Sequence, residues 1–480
     1  MPEIQADYQQ PELLIAGRFV ASGSDAMPVL NPASGETLAR LPLAGPQELD
    51  AALEAAQRTS AAWRARPPVE RGRYLKQAAK LLRERAGAIA RLVTLEQGKP
   101  LAQSHAEITM AADTLEWFAE EGRRAYGRAI PGTHGGVRYV VHKEPVGPVA
   151  SLAPWNFPVT NAARKIGAAL AAGCTCIHKP AEEAPASALA VARALVDAGL
   201  PEGVLSVVFG TPAEVSQHLI ASPVIRKVSF TGSIPVGQHL MQLAASRGIR
   251  TTMELGGHAP VLVFDDADVD AVLDLSVPRK FANAGQICVS PTRFFVHDRI
   301  FDRFAEGFRR RTLSIEVGNG LDPRVQMGPL AHGRRLPAVQ ELVDDATARG
   351  ARLLAGGRRI AGPGNFFEPT VLADLPAGTR LMNEEPFGPV ALLNRFDDAE
   401  AAIAEANRLP FGLAAYAFTR SLATAQLASE ALQAGMVGIN NFKISLPDTP
   451  FGGVKESGHG AENGNEGLEA CLVTKLVALA

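Results

Sequence analysis

The chain has 480 residues, of which 46% are hydrophobic and 20% are charged, and its formal net charge is −2. This composition is typical of globular proteins, and at roughly 150 residues per domain the length predicts two or three domains. No basic stripe and no block of like charges occurs, which argues against nucleic acid and anionic membranes as partners.

The cysteines and the N-terminus predict a cytoplasmic protein. Four cysteines are too few for a disulfide framework in a chain of this length, and Cys174 and Cys176 stand in an apolar run that is typical of a core. No Cys/His cluster has zinc-binding spacing, so no metal site is predicted. The first ten residues lack the basic and apolar regions of a signal peptide, and no run of about 18 apolar residues predicts a membrane span.

Amphipathic helices are predicted in the first part of the chain, over 47–65, 69–97 and 101–122. Apolar residues recur there at three- and four-residue spacing between charged ones. The β-branched stretch "RYVVHKE" then predicts a strand or hairpin near 136–144.

From residue 146 short apolar runs alternate with helical segments, which lie at 159–172, 186–199, 212–221 and 234–246. Near-continuous apolar strands separated by helices predict a parallel sheet that is covered on both faces. A second series of this kind starts near "APVLVFDDADVD" and runs to about 455, which predicts a second α/β domain. The ending "CLVTKLVALA" predicts a final strand.

The loop "SFTGSIPVG" connects a predicted strand to a predicted helix through Gly232 and Ser233. Free N–H groups at a helix start make a natural seat for a phosphate. The spacing is neither that of the dinucleotide fingerprint G-x-G-x-x-G nor that of a P-loop. A tight turn that simply needs a glycine explains the loop equally well.

Cys288, in "NAGQICVSPTR", has two interpretations. Free cysteine is among the most buried residue types, so a small core hydrophobe is the ordinary one. A nucleophile is the other, and local cysteine signatures alone do not decide between the two.

Glu254 and Asn156 are the other candidates for chemistry, and each stands near the predicted carboxyl end of a strand. Glu254, before two glycines, is either a solvated carboxylate or a general base. Asn156, in "PWNFP", either caps the helix that begins near 158 or donates to a developing oxyanion.

Taken together, these segments resemble the aldehyde dehydrogenase superfamily along nearly the whole chain. The matching motifs, in order, are "NPASGE" (31–36), "EQGKPLAQSHAEI" (96–108), "PWNFP" (154–158), "KPAEEAPAS" (179–187), "FTGS" (230–233), "MELGGHAP" (253–260), "NAGQIC" (283–288), "NEEPFGPV" (383–390) and "PFGGVKESG" (450–458). The resemblance implies an enzyme that oxidises an aldehyde to a carboxylic acid with a nicotinamide cofactor.

The resemblance also implies the catalytic roles. Cys288 matches the nucleophile that forms a thiohemiacetal, and Asn156 matches the oxyanion donor, which the Cys288 N–H joins. Glu254 matches the base that activates water to hydrolyse the thioester. Glu462 matches a glutamate near the proton exit path.

The residues that match cofactor contacts are Trp155, Lys179, Glu182, Gly232, Ser233, Glu385 and Phe387. Glu182 matches a position beside the adenine ribose. A carboxylate there accepts hydrogen bonds from ribose hydroxyls and repels a 2′-phosphate, which predicts NAD in preference to NADP.

The fold implied is α/β, with two doubly wound α/β domains and a small β-flap. A Rossmann-like NAD-binding domain is expected over 1–123 and 146–255, and a catalytic domain over 256–460. The flap is expected over 124–145 and 461–480, where it pairs with a second subunit in a homodimer or homotetramer.

The motifs are most similar to those of succinate-semialdehyde and 2-oxoglutarate-semialdehyde dehydrogenases. Arg164 and Ser445 match two residues that bind the substrate carboxylate, whereas Ala282 stands where a second arginine is expected, six before the nucleophile. Lys443 is a candidate for the missing charge. Ser290 stands where some of these enzymes have a second cysteine, so no disulfide switch with Cys288 is expected.

Three alternatives remain open at this point. The first is an enzyme that oxidises a longer or neutral aldehyde, which agrees with Ala282 in place of the expected arginine. The other two, a CoA-acylating enzyme and a non-catalytic relative, fit less well with the set Cys288, Asn156 and Glu254.

Overall fold

A computed structural model describes residues 8–21, 25–132 and 136–480. Its α-helices are Pro46–Ala65, Pro68–Glu84, Ala86–Gln97, Leu101–Glu121, Pro158–Ala172, Pro185–Asp197, Pro212–Ala221, Ile234–Ala245, Val269–Phe281, Asp298–Leu313, Arg335–Ala348, Arg380–Asn383, Ala399–Asn407, Leu422–Ala431 and Gly464–Glu469. Its 3-10 helices are Gly122–Arg124 and Ala282–Gly285.

The strands of the described residues, in chain order, are β1 Leu13–Ile15, β2 Arg18–Val20, β3 Asp25–Leu30, β4 Thr37–Leu43, β5 Arg128–Pro131, β6 Arg138–Pro145, β7 Val149–Leu152, β8 Cys176–Lys179, β9 Leu205–Val207, β10 Lys227–Gly232, β11 Arg250–Leu255, β12 Pro260–Val263, β13 Arg293–His297, β14 Arg352–Ala355, β15 Thr370–Ala373, β16 Val390–Phe396, β17 Phe411–Gly412, β18 Ala414–Phe418, β19 Met436–Ile439, β20 Val454–Lys455, β21 Gly458–His459 and β22 Leu472–Leu479.

The first large sheet has the strand order β2-β1-β9-β8-β7-β10-β11-β21. Strands β9, β8, β7, β10 and β11 run parallel, and antiparallel strands close both edges. Strands β7 and β8 are buried throughout, as their continuous apolar runs predict. Helix Pro158–Ala172 is buried along its whole length, which explains why it is so rich in alanine. Cys174 and Cys176 lie in this core, as predicted.

The second large sheet has the order β14-β15-β16-β13-β12-β18-β19, and only β14 pairs antiparallel. Aromatic residues fill the space between this sheet and its helices, where the rings of Phe294, Phe304 and Phe308 contact one another. Two parallel sheets with helices confirm the predicted α/β class. The predicted second α/β series is confirmed as well.

A three-stranded antiparallel sheet joins β5, β6 and the last strand, β22. The strand near 136–144 and the final strand are therefore confirmed. The division into three domains stays a prediction. Strand β21 comes from the range expected for the catalytic domain, yet it pairs with β11 of the first sheet.

Two features of the N-terminal part differ from the predictions. The helix predicted over 69–97 is two helices, because the chain turns at Arg85 (φ −99°, ψ 9°). Gly87, a poor helix former, stands two residues after Arg85, and the apolar spacing continues across the break, so periodicity does not reveal it. Four strands, β1 to β4, lie before residue 47, where no element was predicted.

Candidate active site

The carboxyl ends of four parallel strands bring the predicted residues to one edge of the first sheet. Lys179 ends β8, Glu254 lies near the end of β11, and Gly232 ends β10. The segment with Trp155 and Asn156 follows β7, which lies between β8 and β10. Parallel strands align their ends, so residues far apart in sequence meet here.

A cavity of about 1150 Å³ lies at this edge. The predicted residues that line it are Asn156, Cys288, Glu254, Trp155, Gly232, Ser233, Glu385, Phe387, Arg164 and Ser445. The predicted residues that do not line it are Glu462, Lys179 and Glu182. Ala282 and Lys443 also contribute to its wall.

The loop that carries Cys288 adopts an uncommon backbone. Asn283 and Ala284 have a φ of 51°, and Gly285 has a φ of 71°. A side chain at Gly285 would collide with the carbonyl oxygen of Gly388, so glycine is required there. Gln286 braces the turn, since its Nε2 donates to the Asn283 carbonyl at 3.0 Å and its Oε1 accepts from the Ala331 N–H at 3.0 Å.

Asn156 lies against this loop and does not cap the helix that follows. Its Nδ2 donates to the Gln286 carbonyl at 3.1 Å, and its Oδ1 has no partner among the described residues. An amide nitrogen has two hydrogens, so one remains for a substrate oxygen. Glu107 binds the start of helix Pro158–Ala172 instead, accepting from the Val159 N–H at 2.9 Å.

Lys99 holds the Asn156 segment from behind. Its ammonium donates to Glu107 at 2.6 Å and to the Asn156 carbonyl at 2.7 Å, and it lies 3.9 Å from the centre of the Phe157 ring. The side chains of Lys99 and Glu107 are fully buried. Removing one partner of such a pair leaves a buried charge uncompensated, so the pair favours a single position for the Asn156 backbone.

The Cys288 thiol is neutral at neutral pH. Burial raises its pKa to about 12, and the negative charges of Glu385 and Glu254 act in the same direction. Arg164 and Arg279 oppose the rise. The thiolate is the nucleophile, so a base must remove the proton when substrate is bound.

Glu254 has the properties of such a base. It is 2% exposed, and neither carboxylate oxygen has a hydrogen-bond partner in the described part of the chain. Burial raises its pKa well above the ordinary value, and the charge of Glu462 adds to the effect. A carboxylate with a raised pKa takes up a proton from a thiol or a water more readily than an ordinary one.

Glu462 lies outside the cavity, in a buried polar group behind Glu254. It forms an ion pair with Lys165, and Lys165 also donates to the Ser229 hydroxyl at 3.1 Å. The second carboxylate oxygen of Glu462 is buried and has no hydrogen-bond partner in the part of the chain that the structure describes. This arrangement offers proton acceptors and donors next to Glu254.

The residues expected to contact the cofactor lie at one end of the cavity. Ser233 is the N-cap of helix Ile234–Ala245, whose first N–H groups face this edge of the sheet. Trp155 packs edge-on against Phe387, with ring centres 5.6 Å apart. Glu385 is half-buried, and the desolvation of its carboxyl raises its pKa to about 8.

Lys179 and Glu182 form an ion pair beside this end of the cavity, and the Gly210 N–H donates to Glu182 at 3.2 Å. A helix N-terminus for a pyrophosphate and carboxylates for ribose hydroxyls together suit a dinucleotide. The residues present therefore fit the expected cofactor.

Arg164 lines the cavity beside Ser445 and Phe451, and the part of the wall that these residues form with Arg279, Ala282 and Lys443 is called the substrate end. Its guanidinium donates to the Ser445 hydroxyl at 2.6 Å and lies 4.4 Å from the centre of the Phe451 ring. Arg164 is 8% exposed, and its Nε has no partner among the described residues. Ala282 contributes no charge to this end.

Several residues of the site were not singled out from the sequence: Lys99, Glu107, Gln286, His332, Arg335 and Arg279. Lys99 and Glu107 lie in the motif "EQGKPLAQSHAEI", which contributed to the family resemblance. The resemblance assigned neither residue a role. His332 packs against Trp155 at 5.1 Å, and Arg335 donates to the Pro386 carbonyl at 2.5 Å. Nothing local in the sequence marks these two positions, because only the fold brings them to the cavity.

The sequence model described as "Aldehyde dehydrogenase family" matches residues 19–477. The chain belongs to the aldehyde dehydrogenase family. It is an oxidoreductase that acts on aldehydes, and the cofactor of the family is NAD(P). The family resemblance is therefore confirmed.

Two curated relatives match nearly the whole chain. The 4-(hydroxymethyl)benzenesulfonate dehydrogenase of Comamonas testosteroni is 49% identical over 98% of this chain and 98% of its own. The NADP(+) succinate-semialdehyde dehydrogenase of Escherichia coli is 45% identical over 98% of this chain and 97% of its own.

Among solved structures, the succinate-semialdehyde dehydrogenase of Burkholderia pseudomallei has a TM-score of 0.97 and 43% identity, covering 99% of this chain and 98% of that one. This likeness confirms the predicted fold class. In the described part of the enzyme no helix is long and apolar enough to cross a membrane. The same residues contain no cluster of three or more His, Cys, Asp or Glu suited to a metal ion.

Proposed function

We propose that the enzyme oxidises an aldehyde with an anionic group at its far end, a semialdehyde such as succinate semialdehyde or 2-oxoglutarate semialdehyde. The observation that carries this proposal is the buried Arg164–Ser445 pair in the same cavity as Cys288. A buried arginine without a carboxylate partner is costly, and a substrate anion would compensate its charge. The names of the relatives agree, since each names a carboxylate or a sulfonate.

In the proposed reaction the Cys288 thiol releases its proton to water in the cavity, and its sulfur attacks the aldehyde carbon. The oxyanion that forms is held by the free N–H of the Asn156 amide and by the Cys288 N–H. When bound, NAD(P)⁺ supplies the hydride acceptor, which leaves a thioester on Cys288. Glu254 then removes a proton from the water that hydrolyses this thioester, and the buried Lys165–Glu462 group carries the proton onward.

For the cofactor we propose a preference for NAD over NADP. The support is Glu182, one of whose oxygens binds Lys179 and the Gly210 N–H. The other oxygen is left to accept hydrogen bonds from ribose hydroxyls, and its charge disfavours a 2′-phosphate. The Escherichia coli relative is named for NADP(+), so the relatives do not decide the matter.

We also propose that the three-stranded sheet is an oligomerisation flap of a homodimer or homotetramer. Its support is the exposure of apolar side chains on β22, where Leu476 is 61% and Leu479 is 51% exposed. Apolar residues exposed in this way on one small sheet are typical of a contact between subunits. Sedimentation of the full chain measures the state.

The experiment that tests the substrate class compares kcat/KM for succinate semialdehyde, 2-oxoglutarate semialdehyde and butanal, followed by NADH absorbance. We expect both anionic aldehydes to exceed butanal by at least about tenfold, the effect of one hydrogen bond to a charged group. A wild-type enzyme that prefers butanal would contradict the proposal. Addition of CoA should leave the rate unchanged, because water is the acyl acceptor.

A further inference from the structure

Three cations line the substrate end of the cavity: Arg164, Arg279 and Lys443. Within the described residues none of them forms an ion pair with a carboxylate, and the Nε of Arg279 is buried without a partner. Asp274, a nearby acid on the same wall, is bound by Arg311 at 2.9 Å. Arg164 is accounted for by the proposed function, whereas Arg279 and the exposed Lys443 are not.

Arg279 is placed by helix Val269–Phe281, which presents one face to the cavity. Leu275, Pro278, Arg279 and Ala282 all line it, at the three- and four-residue spacing of a helix face. Arg279 precedes Ala282 by three residues, which is about 4.5 Å along a helix axis. Position 279 therefore lies about one turn before position 282, and both residues line the same wall of the cavity.

The Arg279 charge still acts on the reacting end of the cavity. It opposes the rise that burial causes in the pKa of the Cys288 thiol, and it does the same for the pKa of the buried Tyr416. The wall between is apolar, and Leu275 and Leu446 are 49% and 41% exposed at its rim. The cavity thus combines a thiol, apolar walls and cations that have no carboxylate partner among the described residues.

We propose that Arg279, with Lys443 beside it, determines specificity for long anionic substrates. The substrate class is an aldehyde in which an aromatic ring separates the aldehyde carbon from a carboxylate or sulfonate. The ring contacts the apolar wall, and the anion binds the Arg279 guanidinium. This inference rests on the proposed function, because it takes a distal anion as given and names the residue that sets its distance.

Steady-state kinetics on the full-length enzyme with saturating cofactor test this assignment. The substrates are 4-carboxybenzaldehyde, 4-formylbenzenesulfonate, benzaldehyde and succinate semialdehyde. Arg279→Met should lower kcat/KM for both para-anion aldehydes by about tenfold or more, mainly through KM, because a charge-assisted contact is lost. The kcat/KM for benzaldehyde should change by less than about twofold, because that substrate loses only an apolar contact.

Two control variants separate charge from fold. Arg279→Lys keeps the charge and should retain most of the preference for the para-anion aldehydes. Arg303→Met removes an exposed arginine that pairs with Asp270 outside the cavity, and it should leave kcat/KM for all four substrates unchanged. A thermal melt of each variant reports folding independently of activity.

The outcomes distinguish the inference from the proposed function. If wild type prefers benzaldehyde and butanal to their anionic counterparts, the proposed function is wrong. If wild type prefers the anionic aldehydes but Arg279→Met leaves that preference unchanged, or lowers benzaldehyde equally, only the Arg279 assignment is wrong. A loss for both para-anion aldehydes, with kcat/KM for benzaldehyde nearly unchanged, supports the assignment.

A gain-of-function variant provides an independent check. Arg279→Ser combined with Ala282→Arg moves the guanidinium one turn toward Cys288. We expect the ratio of kcat/KM for succinate semialdehyde to that for 4-carboxybenzaldehyde to rise by about tenfold or more. An unchanged ratio in a folded double variant would overturn the inference.

Discussion

The centre of the cavity and its substrate end are built in different ways. Around Asn156 and Gln286, polar groups bind one another within the chain, and Lys99 and Glu107 hold the segment from behind. At the substrate end, Arg279 and Lys443 have no carboxylate partner in the described residues. The hydrogen-bonded centre suits one reaction geometry. The cations of the substrate end instead favour a substrate with an anion that compensates their charge.

The largest effect should follow from a change at the centre. Cys288→Ala should lower kcat by more than about a thousandfold, because no other described side chain in the cavity offers a thiol. NADH binding, followed by fluorescence, should be nearly unchanged, since the thiol contacts the aldehyde. As a matched control, Cys176→Ala alters a buried cysteine of the core and should keep its activity. A smaller loss of kcat in Cys288→Ala would exclude Cys288 as the nucleophile.

Glu254→Gln should separate the two halves of the reaction. We expect rapid mixing to give an NADH burst followed by slow turnover, because the acyl-enzyme forms but water is not activated. In wild type kcat should fall as the pH falls through the Glu254 pKa, which burial raises above the ordinary carboxyl range. This fall of kcat at low pH should be absent from Glu254→Gln. If the burst disappears as well, Glu254 also deprotonates Cys288.

At the substrate end the effect should depend on the aldehyde. Arg164→Ala should raise KM for succinate semialdehyde by about 10- to 150-fold, equivalent to roughly 1.5–3 kcal/mol for a hydrogen bond to a charged group. Butanal carries no charge, so its KM should hardly change. Ser445→Ala should have a smaller effect in the same direction, since Ser445 positions the guanidinium. Equal changes for both aldehydes would mean that Arg164 does not bind the anion.

The smallest expected effect concerns the cofactor. At ~4 Å and an effective dielectric of ~20, a 2′-phosphate and the Glu182 carboxylate repel by on the order of 4 kcal/mol per charge pair, and Lys179 offsets part of this. We expect kcat/KM for NAD to exceed that for NADP by at least about tenfold. Glu182→Gln should lower the ratio of kcat/KM for NAD to kcat/KM for NADP. Equal use of both cofactors by wild type would contradict the charge argument.

The sequence by itself determined the α/β class, most helices and strands, and the family, because hydrophobic periodicity and ordered motifs are local properties. It also singled out Cys288, Glu254 and Asn156, although their roles stay predictions. The tertiary structure decided what depends on distant segments meeting. The break at Arg85 does not alter the apolar spacing, so no pattern of residues reveals it.

The charged groups of the site depend on the fold in the same way. Lys99 and Glu107 acquire a role only where Leu101–Glu121 packs beside the Asn156 segment. In the sequence Arg279 is one more arginine on a helix. Its place in the wall of the cavity, without an ion pair to any described carboxylate, follows from how Val269–Phe281 packs against the Cys288 loop. Local residue patterns carry no information about which charges remain unpaired, because pairing is settled by contacts between residues far apart in the chain.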